Sequence, residues 1–145
     1  AEKPSTPSPT LISTFWYSCP SSIRPGAYDV RDNSIYLRSG RGFTTNGWIK
    51  PDLVAPGVGV FGAGPNNQFT TRDGTSVAAA ITAGAVALML EWGIVRGNYT
   101  AITSIEIKNV LIRGAARDSK RTYPDQAFGW GRLDLYQAFE DFRIR

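Results

Sequence analysis

Between Asp73 and Glu91 the chain reads GTSVAAAITAGAVALML, seventeen positions from Gly74 to Leu90 without a charge. Alanine stands at 78, 79, 80, 83, 85 and 87, with Gly84 among them. Alanine is the best helix former and loses almost no side-chain entropy on folding. A Ser or Thr at the head of such a run is a normal helix N-cap. The stretch therefore predicts a helix from about Ser76 to Trp92. It is apolar on every face, which predicts a central, buried helix whose small side chains let neighbours approach closely.

Three readings of this run stand side by side. As a membrane span it is at the short edge of the about 17–25 residues required, it is only weakly hydrophobic, and Arg72, Asp73 and Glu91 flank it. As a core helix it needs nothing of Ser76 beyond a capping hydroxyl. As a catalytic element it would present that hydroxyl at a helix N-terminus, where the dipole and the free N–H groups favour a nucleophile and the anion it generates.

The totals narrow the field. A chain of 145 residues is at most one domain, with enough length for a real core. The net charge is +4, but the basic residues are scattered, with no run longer than Lys120-Arg121, so a nucleic-acid face has little support. Cys19 is the only cysteine, which excludes an internal disulfide and a cysteine metal cluster. There is no histidine at all, which excludes a self-contained histidine-based catalyst and any histidine metal site. No signal peptide or lipidation pattern is visible. The chain starts at Ala1 and its one methionine is Met89, so it is expected to be a processed piece, an expressed fragment or a segment of something longer.

Along the chain, residues 1–22 read as a linker or irregular edge; the first ten hold three prolines and four Ser/Thr. A strand is expected at Leu11–Tyr17, a break at Cys19-Pro20, and short strands at Ile35–Leu37, within 50–57, at Val58–Phe61 and at Gln68–Thr71, the last pairing back. Pro51 and Pro56 confine the ladder of the second of these to its middle. Asn98-Tyr99-Thr100 matches a glycosylation sequon, a frequent chance match. Thr103 and Glu106 form a capping box for a helix to about Arg113, stopped by Gly114. Phe128-Gly129-Trp130-Gly131 is a tight aromatic turn, and Leu133–Phe142 a final amphipathic helix with Leu135, Ala138, Phe139 and Phe142 inward. Strands early and helices late around a buried helix point to an α/β or α+β fold.

Four stretches taken together resemble the C-terminal part of a subtilisin-like serine protease. Lys50 to Gly57, KPDLVAPG, is similar to the KPD-x-x-APG segment of the subtilase family. Gly74 to Ala80, with Ala83-Gly84 behind it, is similar to the GTS-x-A-[AS]-P-x-x-AG nucleophile motif. Phe128 to Asp134 is similar to the YG-x-G-x-[IVL]-[ND] closing turn, and Gly26-Ala27-Tyr28-Asp29 holds the place of VGA-x-[DN]. Order and spacing agree over residues 23–142. The Ser39-Gly40-Arg41-Gly42 variant and the Ile81–Leu90 sequence are similar to clostridial members, some of them akin to germination proteases of spores.

The resemblance implies a three-layer α/β domain with a mostly parallel sheet, of which residues 23–145 are the C-terminal portion, with the buried central helix opening at Ser76. It implies a serine endopeptidase in which Ser76 is the nucleophile and a backbone oxyanion donor, Thr75 supports the oxyanion, and the substrate is a polypeptide. The family's order is Asp, His, Ser, and its Asp, His and oxyanion Asn segments do not precede residue 23. They are expected from the N-terminal half of the same protease domain, as a partner. Without the histidine the loss of activity is on the order of a million-fold, so the alternative is an inactive fragment or pseudoprotease with a binding or structural role. The isolated piece is expected to aggregate or to associate tightly with that half. No nucleic-acid or membrane partner is expected. No cofactor is evident; the family admits structural calcium, but Asp29 and Asp32 are too few for a site. A secreted or spore-associated bacterial location is favoured. Two departures stand out: Ala80 where the family has proline, and residues 13–25, where Arg24-Pro25 replaces an apolar pair in a strand expected to be central.

Overall fold

The computed structural model describes residues 22–45 and 47–143. The expected strand at Leu11–Tyr17, Cys19 and all of the 1–22 linker except Ser22 lie outside them. β1 (Pro25–Tyr28) and β2 (Leu53–Pro56) pair in parallel, Pro25 opposite Leu53 and Tyr28 opposite Pro56. Val54 extends the parallel order through a bridge to Arg132. β3 (Val60–Gly64) and β4 (Gln68–Arg72) form a separate antiparallel hairpin. Three helices follow: α1 (Thr75–Leu90), α2 (Ser104–Arg113) and α3 (Leu135–Arg143). The expected strand at Ile35–Leu37 does not form. Ile35 makes a single bridge to Tyr28, and Leu37 is 85% exposed, so the segment is a loop laid against β1.

Pro25 is tolerated in β1 because of the direction its nitrogen faces. Asp52 N–H donates to Arg24 O at 2.9 Å and Gly57 N–H to Tyr28 O at 3.1 Å, so the even-numbered positions of β1 face β2. The odd positions face the opposite edge. There Ala27 N–H donates to Ser39 Oγ at 3.1 Å and Ala27 O accepts from Tyr36 N–H at 2.9 Å. The donor that proline lacks belongs to that outer edge, so no bond of the β1–β2 ladder is lost.

Helix α1 is buried along one side only. Ala78, Thr82, Ala85 and Met89 face inward, the 3.6-residue stripe of a helix seated on a sheet. Ala78 meets Ala27 and Ala55, and Met89 joins the main core with Leu53, Leu111 and Ala138. Thr82 Oγ1 donates to Ala78 O at 2.8 Å, which satisfies the buried hydroxyl of this helix. Ser76, Ala79, Ala80, Ala83, Gly84 and Ala87 face water. The sequence is apolar all round, as read, but among the described residues only one side has something to pack against. Segment Thr75–Val95, 21 residues, is long and apolar enough to cross a membrane; here its inner stripe lies on β1 and β2.

The α-helical ladder ends two residues before Trp92. Glu91–Val95 is a π-helical turn, closed by Arg96 N–H donating to Glu91 O at 2.9 Å. Asn98, the sequon asparagine, donates its side-chain amide to Trp92 O at 2.8 Å, so it serves this turn. The capping box of α2 is formed as read, with Glu106 N–H on Thr103 Oγ1 and Thr103 N–H on Glu106 Oε2. Ile107, Val110 and Leu111 of α2 and Ala138 and Phe142 of α3 close the core over Leu53 and Met89.

Candidate active site

The loop that delivers Ser76 is built from close backbone contacts. Gly74 N–H donates to Gly57 O at 2.7 Å, which fastens the start of α1 to the end of β2. A Cβ on Gly57 would lie 2.5 Å from Ala27 Cβ and 2.8 Å from Gly74 O, so only glycine allows three backbone segments to meet there. Gly74 is the N-cap, with φ 146°, a conformation that side-chain-bearing residues rarely adopt. Its side-chain position also faces Ser76 Oγ, 3.3 Å from a hypothetical Cβ, so glycine keeps the approach to the hydroxyl open.

Ser76 is therefore not a capping residue. It is the second residue of α1, exposed, and α1 has no side-chain cap bond. The N–H groups of Val77 and Ala78 return to Gly74 O, whereas those of Thr75 and Ser76 have no backbone acceptor among the described residues. The site thus combines an uncommitted hydroxyl, two unused amides and the positive end of a sixteen-residue helix. Such a set can hold a carbonyl oxygen that gains negative charge. It cannot take the proton from the hydroxyl. The chain has no histidine, and the nearest acid in sequence, Asp73, accepts Gly59 N–H at 2.5 Å, which closes the base of the hairpin.

Thr75 is half-buried and borders a groove of about 600 Å³. Arg24, Gly26, Arg41, Phe43 and Trp48 also line it, so it runs beside the outer edge of β1. At the far end of β1 the Asp29 carboxylate accepts Arg31 Nε at 3.0 Å, Arg31 Nη2 at 2.6 Å and the Arg31 amide at 2.9 Å. These bonds hold its pKa down to about 2. Asp32 accepts the Ser34 amide, which lowers its pKa too. Both acids are thus engaged within their own loop, and no group of three or more His, Cys, Asp or Glu among the described residues is placed to hold a metal.

One organising residue has no local signature. Asp52, 3% exposed, accepts Arg24 N–H at 2.7 Å and Lys50 Nζ at 2.7 Å on Oδ2, and Lys108 Nζ at 2.9 Å on Oδ1. Its carbonyl accepts Trp130 N–H at 2.9 Å. Burial pulls the Lys50 pKa below its ordinary value, against the bond to Asp52. Gly129 lies so close that a Cβ there would stand 2.1 Å from Pro51 O, with φ 57° in addition. The KPD segment and the FGWG turn are therefore one structural unit. It locks the start of β1, β2 and α2 together behind the serine loop. The spacing of Lys50 and Asp52 was readable; Lys108, 56 positions further on, was not.

The model of the subtilase family matches residues 8–131. The chain is a subtilase. It is 36% identical over 124 residues, 81% of the chain, to the mouse (Mus musculus) membrane-bound transcription factor site-1 protease. Against the C5a peptidase of Streptococcus pyogenes serotype M18 it is 30% identical over 103 residues, 67% of the chain. Among solved structures it is similar to the Clostridium perfringens CspB protease, with 38% identity, a TM-score of 0.80 and 85% of the chain covered. This agrees with the clostridial likeness of the sequence. The chain spans 11% and 9% of the length of those two curated relatives and 27% of the solved clostridial chain. In this subtilase, Thr75 and Ser76 stand together at the mouth of α1, and the described residues bring no proton acceptor to them.

Proposed function

We propose that this chain is the nucleophile-bearing, C-terminal portion of a serine endopeptidase, with residues 23–145 as its part of the catalytic domain. The observation that carries the proposal is Ser76 itself: exposed at the second position of α1, with a hydroxyl unused in capping and free amides beside it. Ser76 Oγ attacks the scissile carbonyl of a polypeptide and its proton passes to a histidine oriented by an aspartate. The Ser76 N–H and a side-chain amide hold the oxyanion, with Thr75 supporting them. Collapse releases the amine and leaves an acyl-Ser76 ester, which water then hydrolyses.

The aspartate, histidine and amide come from the N-terminal half of the same protease domain. Two unfinished surfaces support that partner. One is the outer face of α1, where Gly84 has no atom within 4 Å of a hypothetical Cβ although mid-helix glycine costs about 1 kcal/mol against alanine. Such a glycine is useful where another backbone comes close. The other is the groove beside the outer edge of β1. We place the whole protein as a secreted or spore-associated bacterial protein, on the strength of the subtilase resemblance.

The second reading is an inactive remnant or pseudoprotease, favoured by the absence of histidine from all 145 residues. A fluorophosphonate probe on the full-length protein separates the two. Labelling of Ser76, lost in Ser76→Ala together with activity on the order of a million-fold, is the expected result. An unlabelled Ser76 in folded full-length protein sinks the protease reading.

A further inference from the structure

The hairpin leading into Ser76 carries an aromatic surface that the catalytic reading leaves unused. Phe61 is 68% exposed and Phe69 70% exposed, and their rings stack with centroids 5.3 Å apart and planes within 16°. The register explains the pair. Phe61 lies opposite Thr71 and Ala63 opposite Phe69. Side chains alternate along a strand, so 61, 63, 69 and 71 share one face, and the two phenylalanines are diagonal neighbours within reach of each other. The opposite face carries no aromatic ring: there Thr70 Cγ2 lies 2.8 Å from where a Cβ on Gly64 would stand, and a Cβ on Gly62 would meet nothing within 4 Å.

A two-stranded hairpin alone is marginal in water, yet this one is fixed at its base. Asp73 accepts Gly59 N–H, and Gly74 N–H donates to Gly57 O. The aromatic face is therefore held in a set position relative to the serine. Phe69 precedes Ser76 by seven residues, and an extended chain spans at most about 3.6 Å per residue, so the stack lies within roughly 25 Å of the nucleophile. An exposed aromatic patch that is rigidly mounted beside a site marks a binding surface.

We propose that Phe61 and Phe69 form a remote docking platform for an apolar side chain of the polypeptide substrate, several residues from the bond that is cut. This rests on Ser76 being the nucleophile. The occupant follows from continuity: the platform belongs to the strand pair that runs directly into the serine loop. A polypeptide laid through that loop extends past it in steps of about 3.3 Å per residue. Stacked phenyl faces accept an aliphatic or aromatic side chain and offer nothing to a small polar one.

The test uses the full-length protein, with casein as a long substrate and a tetrapeptide amide as a short one. Phe61→Ser/Phe69→Ser is expected to lower kcat/KM on casein about tenfold or more, mainly through KM, as loss of an aromatic contact does. The tetrapeptide rate and fluorophosphonate labelling of Ser76 stay unchanged, and Phe61→Leu/Phe69→Leu recovers most of the casein activity. Equal losses on both substrates, or no loss on casein, overturn the platform. So does a shift in oligomeric state of the serine variant that accounts for the loss. A wild-type measurement decides independently of folding in the variants. In a series of dodecapeptides, leucine must outperform serine at some position at least three residues from the cleaved bond, and a flat series overturns the proposal. Failure of the protease reading has a separate signature: wild-type Ser76 does not label, and both proposals fall. Labelled Ser76 with a flat series removes the platform alone.

Discussion

Along α1, Ala78, Thr82, Ala85 and Met89 lie against the sheet and the core, while Ala79, Ala80, Ala83, Gly84 and Ala87 face water. The residue types hardly differ between the two sides. What differs is the neighbourhood. The inner side ends on Leu53, Ala27, Ala55 and the helices α2 and α3, and the outer side ends on nothing among the described residues. A helix equally apolar all round reports that it is meant to be enclosed and gives no sign of which neighbour encloses which side. Exposed alanines bury little apolar area, so the outer side contributes less to stability than the inner side, where Met89 is packed into the core.

The sharpest way to break this contrast is Met89→Ala. Met89 is 1% exposed and touches the buried cluster shared by β2, α2 and α3. Removing its side chain leaves a cavity in a packed core, expected to cost about 2–5 kcal/mol. Urea unfolding reads this as a lower midpoint at unchanged slope. A loss under about 1 kcal/mol would mean that the inner side is as loosely seated as the outer one.

A smaller effect, of opposite sign in two settings, sharpens the outer side. In this chain alone Gly84→Ala replaces a helix-interior glycine that has open space around it. It should stabilise by about 0.5–1 kcal/mol. In the full-length protein, where the proposed N-terminal half lies on that side, Gly84→Leu should instead destabilise by about 1–3 kcal/mol through overpacking. Thermal melts of both variants in both lengths check the pair. Stabilisation by both changes in both lengths would show that this face stays free.

Much of this was legible in the sequence, and the exceptions have physical causes. The helices at 75–90, 104–113 and 135–143 carried their periodicity or composition openly, and the Thr103–Glu106 box marked its own boundary. β2, β3 and β4 fell within a few residues of their expected places. Ile35–Leu37 misled because three apolar residues resemble a strand when nothing shows that the segment merely crosses the edge of β1. Pro25 read as a broken central strand because sequence does not say which edge a residue faces. On residue type alone Ser76 read as a cap, and only the motifs around it made it a nucleophile; the structure adds one backbone fact: Gly74, with φ 146°, takes the cap position and frees the serine. Asp52 escaped as an organiser because its partner Lys108 comes from α2, and long-range pairing has no local signature.

The smallest expected effect lies at the end of β1, beside the inner side of α1. Neither side of α1 carries a titratable group, so the acid dependence of this region falls to the loop that follows β1. Asp29 has a pKa of about 2 in the fold, held there first by the Arg31 guanidinium and then by the Arg31 amide. A folded pKa below the unfolded one means that the ionised form is favoured by folding. The contribution is present above about pH 4 and is lost as the pH falls through about 2. Arg31→Ala removes the guanidinium and keeps the amide, so part of this dependence should vanish. Asp32 is also held below its ordinary value, chiefly by the Ser34 amide, and that bond is retained in the variant. The difference in Tm between wild type and Arg31→Ala should therefore be small but constant above about pH 4 and should shrink steadily as the pH falls through about 2. Arg31 is largely exposed, so added salt should narrow the difference further. A Tm difference that holds the same value from pH 2 to pH 6 would show that Arg31 acts there by packing, with no electrostatic part.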